Sequence, residues 1–379
     1  MLKHRYVFIF VILSVLCLSI GVAFAAEDAS NNLADASSLD ANQLQASDDG
    51  VLMDEDNEDE PGRWADLNKL ISENESDEFT LEKDYQYDLY DDPDNEHDPQ
   101  GILIEKNITI DGDGHTLDGR GYARAFNITR GTHVTLKNII FESCYGDEGG
   151  AIYNSGTLTI ENCVFNGNGR NYEEDCISSN GGAIYNGGDL DVTDSVFYQN
   201  EAVNGGAIYS AGGLNVTRSA FLENRAEDNG RDVFIASGTA NISNSYMSTY
   251  DWDDKYVVYV EDGVEEGSVV LDDNYWSGDV FEWEYDEESG EDVGRLLVSN
   301  VGFDTYLELR LEVGSEDDSL NIGEEYQFMA YFVRNGTDVV IKENLPESNI
   351  IFYVENIDGH TEEIEEVPLE NGQTSHAIE

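Results

Sequence analysis

The chain has 379 residues, and its 80 acidic and 19 basic side chains give a formal net charge of −61 at pH 7. A surface of this charge repels nucleic-acid phosphates and anionic lipid headgroups, so we expect no nucleic-acid partner. The length allows two or three domains with a sizeable hydrophobic core.

Residues 1–25 have the pattern of a secretory signal peptide. The basic side chains Lys3, His4 and Arg5 precede an apolar run, and Ala-Phe-Ala at 23–25 supplies the small residues of a cleavage site. The run is short for a membrane-spanning helix, although an uncleaved anchor is the alternative. We therefore expect a mature chain that is secreted or held at the cell surface, without membrane insertion after signal cleavage.

The next two segments are predicted to be an acidic disordered leader, residues 26–62, and an N-terminal cap, residues 63–100. The leader has too few apolar side chains to offset the entropy of ordering it. The cap begins with apolar residues at helical spacing and continues as a strand. The residues at helical spacing are Trp64, Leu67, Leu70 and Ile71.

A repeated unit dominates residues 101–280. The stretch GGAIYNSGTLTIENCVFNGN begins at Gly149, and related stretches begin at Gly181 and Gly205. Apolar and polar residues alternate in short runs bounded by glycine, asparagine, aspartate or serine, which is typical of strands and turns. Three short strands in a unit of about 24 residues predict one rung of a solenoid.

These repeats predict an all-β fold, a parallel β-helix of about seven rungs. Equivalent side chains should stack at the strand spacing of about 4.8 Å, with leucine and phenylalanine inside. The recurring asparagines should either bond to one another along the stack through their side-chain amides or adopt left-handed backbone angles. Leucine-rich repeats need an LxxLxL pattern that is absent, and propeller blades need longer units. The predicted ladders are Leu158, Leu190 and Leu214; Phe165, Phe197 and Phe221; and Asn168, Asn200 and Asn224.

An acidic linker, residues 281–302, separates the repeats from residues 303–379, where the strands are longer. The number and spacing of these strands resemble an immunoglobulin-like β-sandwich. The sequence stops where a final strand or two would be expected. We therefore expect an immunoglobulin-like domain that is incomplete.

Three cysteines would remain after signal cleavage: Cys144, Cys163 and Cys176. No CxxC spacing occurs, so a zinc site is not expected. Cys163 stands where later rungs have Ser195 and Ser219, which predicts a small buried residue. Cys144 and Cys176 both follow the phenylalanine ladder and are the candidate disulfide, which would fix an inserted loop.

Other candidate sites are sequons and one acidic cluster. Asp251, Asp253 and Asp254 are weak candidates for a structural calcium ion, although they lack the spacing of a known calcium-binding loop. No other cofactor is expected. Sequons mark glycan acceptors in an exported protein but also arise by chance in asparagine-rich strands. The sequon asparagines are Asn74, Asn107, Asn127, Asn215, Asn241 and Asn335.

The GGAIY units are similar to the repeats of chlamydial polymorphic outer membrane proteins. The whole layout resembles the secreted adhesin-like proteins of methanogenic archaea, which join a signal peptide, a right-handed β-helix and immunoglobulin-like domains. GILIEKNITIDGDGHTLDG at 101–119 looks like the first rung of that family, and DDNYWSG at 272–278 resembles its last. The resemblance implies a non-catalytic adhesion role, with extracellular glycans or surface proteins of other cells as partners.

A polysaccharide-active enzyme, pectate-lyase-like or polygalacturonase-like, is the alternative because the same fold class contains such enzymes. ITIDGDGHTLDGRG resembles an early rung of polygalacturonase-like hydrolases, but the NTD, GHG and RIK motifs are absent. Asp111, Asp113 and Asp118 are predicted to shape turns, and no catalytic residue is assigned. The inserted loop at 171–176 is a candidate for specificity, or a tolerated surface insertion.

Overall fold

Repeated strands of equal spacing produce a parallel β-solenoid of about eight turns, one more than the sequence predicts. The chain visits three parallel sheets in the same order in each turn. The computed structural model describes residues 8–14, 60–88, 100–171, 176–248, 256–276, 281–286, 291–296, 298, 305–313, 326–337, 340–342, 345, 349–355, 361–368 and 373–378.

The first two sheets are entirely parallel. In both, the side chains alternate between the interior of the coil and its surface. The strands of the first sheet are Ile102–Ile104, Phe126–Ile128, Ile152–Asn154, Ile184–Asn186, Ile208–Ser210, Val233–Ile235 and Val258–Val260. The strands of the second sheet are Glu78–Thr80, Ile108–Asp111, His133–Lys137, Thr157–Glu161, Asp189–Thr193, Gly213–Thr217, Thr239–Ser243 and Val269–Val270.

The third sheet and a lateral sheet complete the coil. The lateral sheet forms where the inserted residues Arg170–Asn171 and Cys176–Asn180 meet Glu201–Asn204 and Arg225–Asn229. The parallel strands of the third sheet are Gly62–Arg63, Tyr85–Gln86, Thr116–Asp118, Ile140–Glu142, Val164–Asn166, Val196–Tyr198, Ala220–Leu222, Tyr246–Ser248 and Asn274–Trp276.

The predicted hydrophobic ladders are confirmed. Leu158, Leu190 and Leu214 pair in register and are buried. The phenylalanine ladder is also buried, and it begins one turn earlier than predicted, at Phe141; its successive ring centroids are 4.7, 4.7 and 4.8 Å apart. Close stacking of identical side chains therefore forms a continuous core along the rod.

The asparagine ladder uses amide-to-amide hydrogen bonds. Nδ2 of Asn168 donates to Oδ1 of Asn200 at 2.9 Å, and Nδ2 of Asn200 donates to Oδ1 of Asn224 at 2.9 Å. All three side chains are buried. The left-handed backbone angles fall on the preceding residues, Gln199 and Glu223, each with φ 53°. The first of the two predicted roles is therefore the one that these asparagines fill.

The helix Trp64–Glu73 packs against one end of the coil. Trp64, Leu67 and Ile71 are buried, but Leu70 is 46% exposed, so its assignment to the apolar face was wrong. Lys106 Nζ donates to the carbonyl of Ile71 at 2.8 Å and so satisfies one of the last carbonyls of the helix. The strands that precede and follow this helix in the sequence already belong to the solenoid, so the solenoid has one turn more than predicted.

The strands predicted after the repeats are present, and two of them, together with one further strand that was not predicted, extend the third sheet. Tyr306–Val313 pairs in parallel with Asn274–Trp276, while Tyr326–Arg334 and then Gln373–Ile378 add antiparallel strands. Arg334 anchors this extension, because its Nε donates to Oδ1 of Asp273 at 2.7 Å. The arrangement of this region as an immunoglobulin-like sandwich stays a prediction.

Three further antiparallel pairings involve segments outside the solenoid. Phe281–Asp286 pairs with Glu291–Leu296 inside the predicted linker. Asn349–Glu355 pairs with Thr361–Pro368 and also with Phe8–Ser14. Signal cleavage would remove this last strand from the exported chain. In the described part of the chain, no helix combines the length and the apolar character needed to cross a bilayer.

Candidate functional site

The outer face of the first sheet carries a ladder of tyrosines. The middle residue of each three-residue strand points away from the core, and in successive turns it is Tyr153, Tyr185 and Tyr209. Their ring centroids are 4.9 and 5.4 Å apart, with interplanar angles of 2° and 10°. Phe234 and Tyr259 continue the stack. Because the rings stack along the rod, the ladder presents ring edges rather than ring faces to solvent.

The three tyrosine hydroxyls make no hydrogen bond within the described part of the chain. Burial, followed by the charge of Glu148, raises the pKa of Tyr185. Burial also raises the pKa of Tyr209, followed by the charges of Glu261 and Glu148. Tyr185 and Tyr209 are therefore neutral hydrogen-bond donors at physiological pH.

A second row of polar side chains precedes the aromatic ladder in the sequence. Glu148, Asn180, Asn204 and Asn229 follow one another in register from turn to turn. Each lies five residues before an aromatic residue of the ladder and is followed by a glycine with positive φ, for example Gly181 with φ 71°. A turn at these glycines separates each residue of the row from the first-sheet strand that carries the aromatic side chain. We call Glu148, Asn180, Asn204 and Asn229 the polar row.

A concavity of about 350 Å³ lies at the end of the tyrosine ladder. Asn127 pairs with Tyr153 and occupies the ladder position one turn earlier, so the stack stops where a smaller side chain replaces a ring. The exposed face of the Tyr153 ring is covered by the Arg124 guanidinium, 5.5 Å from its centroid. The concavity is lined by Gln100, Arg124, Asn127, Asp147, Glu148 and Tyr153.

Arg124 is fixed in place by backbone carbonyls. It is only 6% exposed, and its nitrogens donate to the carbonyls of Gly149 at 2.8 Å, Glu148 at 2.7 Å and Gln100 at 3.2 Å. A buried guanidinium with several hydrogen bonds keeps one geometry. The concavity therefore has a rigid basic wall at Arg124, and the acidic residues Asp147 and Glu148 also line it.

The sequence predicted neither Arg124 nor the concavity. The register of the tyrosines is visible in the sequence, because they recur at intervals of 32 and 24 residues. Extending that register back to Asn127 would have shown that the aromatic stack ends there. The position of Arg124 over the last ring depends on the fold of the preceding turn, which no repeat encodes.

The candidate calcium residues Asp251, Asp253 and Asp254 lie outside the described residues, so that site stays a prediction. Where the structure describes the chain, no group of three acidic, histidine or cysteine side chains is arranged to hold a metal ion. The six sequon asparagines are all described and none is buried. Asn107 and Asn241 are the exposed ones, and Asn127 lines the concavity.

The structure does not form the predicted disulfide between Cys144 and Cys176. Cys144 stands one turn before Asn168, inside the coil, where its thiol donates to the carbonyl of Glu142 at 3.5 Å. The sulfur of Cys176 is half-buried and lies 3.1 Å from the hydroxyl of Tyr145. The prediction was wrong because it placed both cysteines by sequence position, whereas one side chain points into the core.

Cys163 is a small buried residue, as the alignment with serine predicted. Its backbone N–H donates to Oγ of Ser195 at 3.1 Å, and the N–H of Ser195 donates in turn to Oγ of Ser219 at 3.2 Å. The Cys163 thiol donates to the carbonyl of Glu161 at 3.4 Å. The position therefore needs a short polar side chain, which cysteine and serine both provide.

The first aspartates of the repeats stabilise turns by accepting hydrogen bonds from the backbone. Asp111 Oδ1 accepts the N–H of Asp113 at 3.1 Å, and Asp118 Oδ1 accepts the N–H of Arg120 at 2.8 Å. Tertiary structure adds one carboxylate pair, because Asp118 and Glu142 lie in register on adjacent strands. Burial raises the pKa of both carboxyls.

Comparison with known families identifies one similarity. Residues 194–211 match the repeat of the Chlamydia polymorphic membrane protein. This segment runs from the third-sheet strand Val196–Tyr198 through the lateral sheet to the first-sheet strand Ile208–Ser210. The match covers 18 of the 379 residues, so it describes the repeat unit rather than the whole chain. No curated protein and no solved structure matches the sequence.

Proposed function

We propose that the chain is a secreted or cell-surface adhesin-like binding protein without catalytic activity. Its β-solenoid would present a rigid rod to extracellular glycans or to surface proteins of other cells. The observation that carries this proposal is the ladder of Tyr153, Tyr185 and Tyr209, which are half-buried residues whose hydroxyls make no hydrogen bond within the part of the chain that the structure describes. Regularly placed donors on a fixed backbone favour binding over catalysis.

The physical reason is preorganisation. The stacked phenylalanines and the asparagine amides hold each turn in register with the next. Outward side chains on such a scaffold lose little additional freedom when a partner binds. The same rigidity suits repeated weak contacts along the rod, which combine into useful avidity.

Three features of the sequence support a surface location. The matched repeat is named for a membrane protein of Chlamydia. The layout resembles archaeal adhesin-like proteins that carry immunoglobulin-like domains. Residues 1–25 have the signal-peptide pattern.

The test is binding of the exported chain to whole cells and to an array of neutral, amino and acidic glycans. The expected result is saturable binding to at least one cell type or glycan class. The control is the same chain unfolded in denaturant and diluted, which keeps the charge but lacks the solenoid. Absence of binding to every surface and glycan would contradict the proposed function.

The alternative is a polysaccharide-active enzyme, and one observation favours it. Asp118 and Glu142 are adjacent carboxyls with raised pKa values, and glycosidases use two carboxyls with different pKa values. Incubation with pectin, polygalacturonate and cell-wall glycans tests it. New reducing ends or unsaturated products that disappear in a Glu142→Gln variant would support the enzyme.

A further inference from the structure

We propose that the concavity and the tyrosine ladder form one groove for a linear, neutral, β-1,4-linked glycan lying parallel to the rod axis. This inference rests on the proposed surface-binding function and assigns it a site and a ligand class. The concavity takes the sugar at one end of the glycan. Tyr153, Tyr185 and Tyr209 contact the next sugars, one per turn of the coil.

The spacing of the rings selects the type of polymer. The ring centroids are 4.9 and 5.4 Å apart. A pyranose linked through its first and fourth carbons advances an extended chain by the length of one sugar ring and its bridging oxygen, which is close to the spacing of the tyrosine rings. An extended peptide advances by about 3.3 Å per residue and a polyproline helix by about 3.1 Å, so neither stays in register with the rings. One sugar then lies at each turn, and because neighbouring sugars of a β-1,4-linked chain are flipped relative to one another, equivalent contacts recur at every second turn.

The groove provides hydrogen-bonding groups suited to hydroxyls. Each of two turns contributes a phenol from the ladder, Tyr185 or Tyr209, and an amide five residues earlier in the polar row. These amides are Asn180 and Asn204, and Nδ2 of Asn204 donates to Oδ1 of Asn180 at 3.5 Å. The phenol donates, while the amide both donates and accepts. Ring edges rather than ring faces are available, so the sugars are held by hydrogen bonds and edge contacts instead of by stacking. A polyhydroxylated chain can satisfy these groups in every turn.

Charge excludes acidic polymers from the groove. Glu148 lies close enough to raise the pKa values of Tyr185 and Tyr209, and Glu261 acts on Tyr209 as well. The chain as a whole carries a formal charge of −61. Uronates, sulfated glycans and nucleic acids would place further negative charge beside these carboxylates. A neutral glycan avoids this repulsion.

The concavity suits a single terminal sugar. Its volume of about 350 Å³ lies at the lower end of the range for ligand pockets, about 300–1,000 Å³. It combines the basic Arg124, the acidic Asp147 and the amides of Gln100 and Asn127 around the edge of Tyr153. Such a mixture of donors and acceptors fits a neutral ring with several hydroxyls better than a charged group.

The first experiment is calorimetric titration of the full exported chain with β-1,4-linked gluco-oligosaccharides of increasing length. Affinity should rise with each added sugar until about four sugars fill the concavity and the three tyrosine positions, and then level off. α-1,4-linked gluco-oligosaccharides and oligogalacturonates should bind at least about tenfold more weakly, because the first curve away from the rod and the second are anionic. Equal binding of all three series would overturn the proposal.

The second experiment removes the hydroxyls and keeps the rings. A Tyr153→Phe, Tyr185→Phe, Tyr209→Phe variant preserves the stack, so it should fold normally. Each lost hydrogen bond should weaken binding of the β-1,4-linked tetramer by roughly two- to tenfold. The matched control removes three half-buried outward hydroxyls from the second sheet, at Thr135, Thr159 and Thr193, by substitution with valine, and should leave binding unchanged.

Three possible results of these binding experiments separate this proposal from the proposed function. If the tyrosine variant binds the tetramer as tightly as the parent chain, the groove is not the site. If the parent chain binds cells but no β-1,4-linked glycan, the ligand class is wrong while the surface-binding function stands. If a peptide competes with cells for the parent chain and the tyrosine variant binds that peptide equally well, the glycan inference is overturned while the surface-binding function stands.

Discussion

Nδ2 of Asn224 donates a hydrogen bond of 3.0 Å to Oδ1 of Asp232, and this contact ends the asparagine ladder inside the coil. Asp232 stands one turn after Ala207, at a position where the other turns have a small apolar residue. Burial raises the pKa of its carboxyl to about 7, although Asn224 and Arg231 oppose the shift. A group of this kind makes the stability of the fold depend on pH.

Asp232→Asn should stabilise the chain above pH 7 and leave it nearly unchanged at pH 4. The folded state raises the pKa of this carboxyl, so its contribution to stability is complete below the unfolded pKa and is lost as the pH rises towards 7. The variant keeps the hydrogen bond from Asn224 and removes the titration. Urea unfolding at pH 4, 6 and 8 measures the difference. Asp191→Asn on the exposed face controls for the loss of one negative charge; an equal gain there would refute the assignment.

Asn200→Ala should destabilise the fold by at least about 2 kcal/mol, because it leaves buried groups without partners. Its amide accepts the N–H of Asn168 at 3.1 Å and donates to the carbonyl of Phe165 at 3.0 Å. Asn166→Ala is the matched control, since that half-buried side chain donates a hydrogen bond of 3.0 Å to Oε1 of Glu142. The control should cost less than about 1 kcal/mol. Similar losses in both variants would show that the ladder adds no special stability.

Gly188→Ala should destabilise the fold by at least about 2 kcal/mol, while Gly187→Ala should be tolerated. A Cβ at Gly188 would lie 2.0 Å from the backbone carbonyl oxygen of Gly156 in the previous turn, so the backbone itself would have to move. A Cβ at Gly187 meets nothing closer than 3.4 Å. Thermal unfolding of both variants tests the contrast between neighbours in one turn. Equal melting temperatures would contradict the close packing of turns.

Thiol labelling at pH 8 should modify Cys176 in the folded chain, and Cys144 and Cys163 only after unfolding. Burial raises the pKa of the Cys163 thiol to about 12 and raises that of Cys144 further. Thiolate is the reactive form, so both buried cysteines are unreactive as well as inaccessible. Mass mapping after labelling with and without denaturant identifies the sites. Labelling of Cys144 in the folded chain, or protection of Cys176 by a bridge to it, would refute the prediction.

The solenoid could be predicted because its information is periodic. Phe165 and Phe197 are separated by one turn plus the insertion, and Phe197 and Phe221 by one turn. Parallel pairing places these equivalent residues above one another. Neighbouring turns alone determine such contacts, so a repeated pattern is sufficient to predict them. The serine-like burial of Cys163 followed from the same register.

The extra turn and the third-sheet extension could not be read from the repeats. Gly62–Arg63 and Tyr306–Val313 join the solenoid at its two ends, where the sequence no longer resembles the repeat. Their pairing depends on which strand edges the last turns leave open. Likewise the Cys144 side chain points inward because it takes the place of an asparagine in the ladder.

The sequence by itself determined the parallel coil, its internal ladders and the recurrence of the tyrosines, because each depends only on the spacing between adjacent turns. Tertiary structure alone decided where the aromatic stack stops, how Arg124 covers Tyr153 and which residues line the concavity at that end of the stack. These contacts join residues that do not recur from turn to turn. Because such residues have no equivalent in the neighbouring turn, the sequence spacing does not indicate which residue each one contacts.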